Sequence, residues 1–197
     1  MDRRRLAALA GYHGDSDTVH ALFRDPDPGV RAIALGALAR LGNLDDSSLA
    51  AALSDTDRAV RRRACDLAGT NQSGSTVAAL QRSLSDTDPL VAEAAAAAIG
   101  EHGPEASPAL DALTAMASGH KDALCREAAV AALGAIGDKR GLDTVLAALD
   151  DKPAIRRRAA VALAAFDDPS AEVGLRKCLE DRDWQVRQVA EELLRAD

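Results

Sequence analysis

Aromatic side chains are scarce in this 197-residue chain: one Trp, one Tyr and two Phe make up 2% of it, although hydrophobic residues reach 47%. Globular cores lean on large rings for buried area, so the apolar content has to be carried by other residues, and Ala and Leu carry it. Both rank high in helix propensity, and a core of small aliphatic side chains suits closely packed helices. Cysteine is also sparse. Cys65, Cys125 and Cys178 are odd in number and far apart, with no CxxC or Cys/His metal spacing, and they read as reduced, buried thiols. No apolar run approaches the roughly 18 residues of a membrane span. The start, Met1-Asp2-Arg3-Arg4-Arg5-Leu6, lacks the hydrophobic core of a signal peptide, so a cytoplasmic location is expected. Charge is plentiful at 28%, but its balance is −7. An acidic chain disfavours nucleic acid as a default partner, because phosphate neutralisation needs clustered Lys and Arg; a local basic patch stays open.

What is present is a repeat, and a repeat decides the fold class before anything else. An Asp-rich turn, an apolar residue and then Arg recur at Asp25–Arg31, Asp55–Arg61, Asp86–Ala92, Asp122–Arg126, Asp150–Arg156 and Asp181–Arg187. The apolar anchors fall at Val30, Val60, Val91, Cys125, Ile155 and Val186, with spacings of 30, 31, 34, 30 and 31. Four residues after every anchor stands an alanine: Ala34, Ala64, Ala95, Ala129, Ala159 and Ala190. Eight after it come Leu38, Ala68, Ile99, Leu133, Leu163 and Leu194. Apolar residues at i, i+4 and i+8 form the buried stripe of an α-helix, here termed the B helix. The repeated alanine marks where two helices approach too closely for a larger side chain.

A shorter amphipathic A helix precedes each B helix. It carries apolar pairs at Val19 and Phe23, Leu49 and Leu53, Leu80 and Leu84, Val145 and Leu149, and Leu175 and Leu179, with Leu113 and Met116 a looser version in the fourth repeat. There the entry loop Gly103–Pro108 and the turn Ser118–Lys121 are longer, which accounts for the 34-residue spacing. Asp27, Asp57, Asp88, Asp122 and Asp183 sit three before the anchor, where a carboxylate caps orphan N–H groups at the positive end of the helix dipole. Pro28, Pro89 and Pro153 suit the first helical turn. Gly42, Gly103 and Gly137 read as helix stops. Leu6, Leu9 and Ala10 followed by Gly11 read as a lone B helix. Five after the last anchor stands Glu191, where earlier repeats have apolar residues, and it is expected to cap the array.

This pattern resembles the short HEAT-like repeats of the phycobilin-lyase type, whose consensus runs close to D-x-D-x-x-V-R-x-x-A-x-x-A-L-G-x-I-G. Cys125 to Gly137 and Val30 to Gly42 match it closely, and the resemblance extends over essentially the whole chain. Tetratricopeptide repeats have a similar period, but their aromatic signature is missing. The expected fold is an all-α solenoid, a right-handed superhelix of about six helix pairs after a half repeat. One domain, 1–197, divides into 1–14, 15–43, 44–72, 73–103, 104–137, 138–167 and 168–197. The resemblance also implies an Asp/Arg ladder between neighbouring turns. Arg31, Arg61, Arg126, Arg156 and Arg187 hold its position, and Ala92 is the exception, which marks repeat three as the softest junction.

No catalytic constellation is legible. His13, His20, His102 and His120 fall in or near turns without patterned partners and read as solvated loop residues. No phosphate loop, nucleophile elbow or metal spacing appears. Asn71-Gln72-Ser73 fits a glycosylation sequon by chance. The expectation is therefore a non-enzymatic protein–protein scaffold, monomeric and without cofactor or metal, that holds a protein or peptide. In such solenoids the B helices line the concave face, which exposes the positions two, three and six after each anchor. The candidate partner-binding residues are Arg4, Arg5, Arg62, Arg63, Glu93, Glu127, Arg157 and Arg158, with basic clusters flanking a smooth central floor that includes Ala94, Ala97, Ala128 and Ala131. The alternatives are a nucleic-acid binder using the basic stripe, disfavoured by the lack of aromatics, and a phycobilin-lyase-like chromophore-handling subunit, for which no residues can be assigned.

Overall fold

The structure, a computed structural model, describes residues 2–70 and 74–195. The sequon at Asn71–Ser73 lies outside the described residues. The first α-helices are α1 (Arg3–His13), α2 (Ser16–Leu22), α3 (Pro28–Arg40), α4 (Asp46–Leu53), α5 (Arg58–Ala68), α6 (Gly74–Ser83) and α7 (Pro89–Glu101). They are followed by α8 (Leu110–Gly119), α9 (Ala123–Ile136), α10 (Leu142–Ala147), α11 (Pro153–Leu163), α12 (Pro169–Cys178) and α13 (Trp184–Arg195). No strand occurs among the described residues. The odd-numbered helices are the B helices, and each packs on the next B helix along the chain. Each even-numbered A helix packs on the B helix that follows it. The chain is an α-solenoid.

The sequence pattern explains the layers. All six alanines four past the anchors, Ala34, Ala64, Ala95, Ala129, Ala159 and Ala190, are 0% exposed. Neighbouring B helices meet through residues too small to hold them apart: a methyl placed on Gly134 would lie 2.6 Å from the Ala162 methyl, and one on Gly11 would lie 2.6 Å from that of Ala37. Gly11 is therefore a packing residue inside α1 and not its stop, which is Gly14 in the left-handed region at φ 78°. Gly42, Gly103 and Gly137 also have positive φ and end their helices as expected. The entry loop of the fourth repeat is wound into a 3-10 segment, Gly103–Ala109.

The A-helix pairs are buried in most repeats, but Leu179 is exposed. No further described helix covers α12 on that side, so the last apolar pair is closed only at Leu175. Five turns are built alike. The carboxylates of Asp27, Asp57, Asp88, Asp122 and Asp183 each accept the backbone N–H two residues on, at 2.8–3.0 Å. Lys152 stands at that position before α11, with no side-chain cap.

Candidate functional site

Four of the arginines that follow an anchor tie their turn to the next, whereas Arg187 donates only to the Asp181 carbonyl of its own turn. Arg31 Nε and Nη2 donate to Asp55, Arg61 to Asp86, Arg126 to Asp151 and Arg156 to Asp181, at 2.6–2.9 Å. The third nitrogen, Nη1, donates to a carbonyl of its own turn. Arg3 adds an earlier rung by reaching Asp25 at 3.1 Å. Bidentate guanidinium–carboxylate pairs of this geometry are strong and directional. They hold Asp86, Asp151 and Asp181 below the usual carboxylate range, chiefly through the hydrogen bonds from arginine. The rung is missing between repeats three and four, where both partners change together: Ala92 replaces the arginine, and His120 replaces the aspartate. His120 Nδ1 accepts the Asp122 N–H at 3.1 Å, the bond that an aspartate makes in other turns.

Burial pushes the Cys65 thiol up to about 12, and the Cys125 and Cys178 thiols up to about 11, so none is a nucleophile near neutral pH. His102 is not a solvated loop residue. It is buried, and its Nε2 lies 3.1 Å from the Ala68 carbonyl, which can only accept, so Nε2 carries the proton. Among the described residues no group of three or more His, Cys, Asp or Glu is arranged to hold a metal ion. No described helix is long and apolar enough to cross a membrane.

The remaining surface feature is a set of arginine triplets in one register: Arg3-Arg4-Arg5, Arg61-Arg62-Arg63 and Arg156-Arg157-Arg158. The first member of each is a ladder rung. The others differ in what they meet. Arg4 forks onto Asp27 at 3.1–3.3 Å, while Arg5 is exposed. Arg157 donates to Gln185 Oε1 at 2.7 Å, and Arg158 reaches back to Glu127 at 3.5 Å. Arg62 and Arg63 have no ion pair among the described residues. They line a hollow of about 560 Å³ between α1, α3 and α5, together with Arg40, Asp66, Ala8, Ala32, Ile33, Gly36 and Ala59.

The candidate residues are thus not equivalent. Arg4, Arg157, Arg158 and Glu127 are engaged within the fold, Glu93 is half-buried, Arg5 is exposed, and Arg62 and Arg63 face the hollow. Of the floor alanines, Ala94 is buried, Ala97 is exposed, and Ala128 and Ala131 are half-buried; the hollow itself is floored by Ile33 and small residues of α1, α3 and α5. Arg40 and Ile33 escaped the sequence reading. Their signal was register: Arg40 lies ten after its anchor, on the same helical face as positions three and six.

The family model described as HEAT repeats matches residues 46–133 and 110–195. No curated protein matches the chain in sequence at significance. Among solved structures, the complex of CpcE and CpcF of phycocyanin lyase from Nostoc sp. PCC7120 is 26% identical with a TM-score of 0.64, covering 91% of this chain and 75% of that one. A designed armadillo repeat protein in complex with the peptide (KR)4 is 16% identical with a TM-score of 0.68, covering 92% and 98%. Human deoxyhypusine hydroxylase is 22% identical with a TM-score of 0.53, covering 98% and 78%. The last two likenesses concern the fold alone. With the repeat register, the helix pairing and a match over most of its length all in agreement, the chain belongs to the HEAT-repeat family.

Proposed function

We propose that the chain is a non-enzymatic adaptor that holds a protein or peptide partner on its B-helix face, acting as a cytoplasmic monomer without a cofactor. One observation carries this reading: guanidinium groups without an ion pair among the described residues surround an apolar-floored hollow on that face, while Arg4, Arg157 and Arg158 of the same register are paired within the fold. A folded chain gains nothing by gathering like charges around an open apolar surface, and a partner bearing carboxylates relieves both liabilities. The peptide-bound designed armadillo protein, a structural neighbour, supports the general mode by which an extended helical array seats a peptide.

The test is affinity capture from the native host. Wild type is compared with a variant carrying Arg62→Glu, Arg63→Glu, Arg157→Glu and Arg158→Glu, with circular dichroism confirming equal helicity. Loss of the co-purifying protein is expected; unchanged capture sinks the reading. A mobility shift of DNA or RNA at low salt, fading steeply as salt rises, would favour the nucleic-acid alternative instead. The likeness to the CpcE–CpcF complex at 26% identity favours one second reading, a subunit of a lyase assembly, which predicts that capture returns a second repeat subunit and that the pair has lyase activity.

A further inference from the structure

We infer that the hollow between α1, α3 and α5 seats an acidic amphipathic helix, whose apolar side chain enters over Ile33 and Gly36 while its carboxylates engage Arg40, Arg62 and Arg63. This inference rests on the adaptor reading and names the partner chemistry of that face.

Equivalent positions along the array differ in what their arginines meet. Arg157 and Arg158 show how the fold quenches this arginine pair. The first bonds Gln185, one residue before the next anchor, and the second pairs with Glu127, two after the preceding anchor. The positions equivalent to these partners around Arg62 and Arg63 are Leu90 and Ala32. Neither offers an acceptor. The exchange at two independent positions leaves both guanidinium groups without an ion pair among the described residues. A third joins them, since a methyl placed on Gly36 would lie 3.2 Å from Arg63 Nη2 and 3.7 Å from Arg40 Nη1. Arg63 and Arg40 therefore converge over a glycine beside Arg62, and Asp66, the one acid in the lining, makes no ion pair among the described residues.

Charge and shape together select the occupant. The guanidinium groups ask for carboxylates in a compact cluster, and the floor of Ile33, Ala8, Ala32, Gly36 and Ala59 asks for an apolar side chain between them. A helix presents that combination at positions three and four apart. A nucleic-acid strand fits less well. The hollow is lined by no aromatic residue on which a base could stack. The next B helix along the face, α7, carries Glu93 and Glu101, which repel a long polyanion but not a short helix.

The probe is a short labelled Ala-rich peptide with one central Leu flanked by Glu three and four residues away, followed by fluorescence anisotropy. Wild type is expected to bind it, to bind the Lys-for-Glu peptide far less, and to lose affinity as salt rises. Arg62→Gln with Arg63→Gln is expected to weaken binding roughly tenfold or more. Ala32→Glu is expected to do the same by a different route, giving Arg63 a partner within the fold as Glu127 gives Arg158. Melting temperature reports folding for each variant. Absent binding by wild type overturns the inference. So does equal binding by well-folded Arg62→Gln/Arg63→Gln, or tighter binding of a single-stranded oligonucleotide than of the peptide. If a captured host partner survives Ala32→Glu but is lost with Glu93→Lys and Glu127→Lys, the adaptor reading stands and the acidic-helix inference fails.

Discussion

Arg156, with 4% of its side chain exposed, forks onto both carboxylate oxygens of Asp181, Nε to Oδ2 at 2.8 Å and Nη2 to Oδ1 at 2.7 Å. Asp181 also accepts the Asp183 N–H at 2.7 Å and so shapes the turn before α13. Removing one partner of a buried pair strands the other without compensation. Asp181→Ala is expected to cost about 3 kcal/mol, read from urea unfolding. Arg176→Ala, which breaks the exposed pair with Glu172 on the same helix, is expected to cost less than about 0.5 kcal/mol. Equal costs would show that the ladder is surface decoration.

The missing rung at Ala92 and His120 makes a complementary experiment. Restoring both members, Ala92→Arg with His120→Asp, is expected to give a favourable coupling of about 1–2 kcal/mol in a double-mutant cycle. Ala92→Arg alone is expected to destabilise, because Ala92 is fully buried and no carboxylate awaits the new cation. A cycle with zero coupling would mean that the longer connection between these repeats holds the two positions apart.

Acid should act through the same ladder. Asp86, Asp151 and Asp181 bind protons less tightly in the folded chain than the usual carboxylate, first because of their hydrogen bonds from arginine. Their contribution to stability is complete above the unfolded carboxylate value of about 3.9 and is lost as pH falls through the depressed folded values. The melting temperature is expected to drop with pH below about 5. The drop should be shallower in Asp181→Ala, where one of the three carboxylates is gone.

Two glycines should respond in opposite directions to the same substitution. Gly134→Ala drives a methyl to 2.6 Å from the Ala162 Cβ and 2.8 Å from its Cα, so it is expected to destabilise by about 1–3 kcal/mol through overpacking. Gly119 has open space around it and no positive φ. Gly119→Ala is expected to stabilise by about 0.4–1 kcal/mol, because it restricts the unfolded chain. Thermal melts of the two variants provide the check.

Most of the architecture was legible because it is local and repeated. The anchors, the buried alanines, the Asp caps and the stop glycines each follow from helix periodicity and terminus chemistry, which need only the order of residues along one helix. The same periodicity misread Gly11 as a stop, since a glycine inside a helix and one after it look alike until the neighbouring helix and its Ala37 are in place. His102 was misread for a related reason: its acceptor, the Ala68 carbonyl, is supplied by the preceding repeat.

The candidate site divides along the same line. The sequence by itself determined that the B helices carry arginines in repeating positions and that aromatic side chains are scarce. Only the tertiary structure decided which of those arginines are spent. Whether Arg62 or Arg157 has an acceptor depends on residues a whole repeat away, Leu90 in one case and Gln185 in the other, and on the stacking distance that brings adjacent B helices within reach of a guanidinium group.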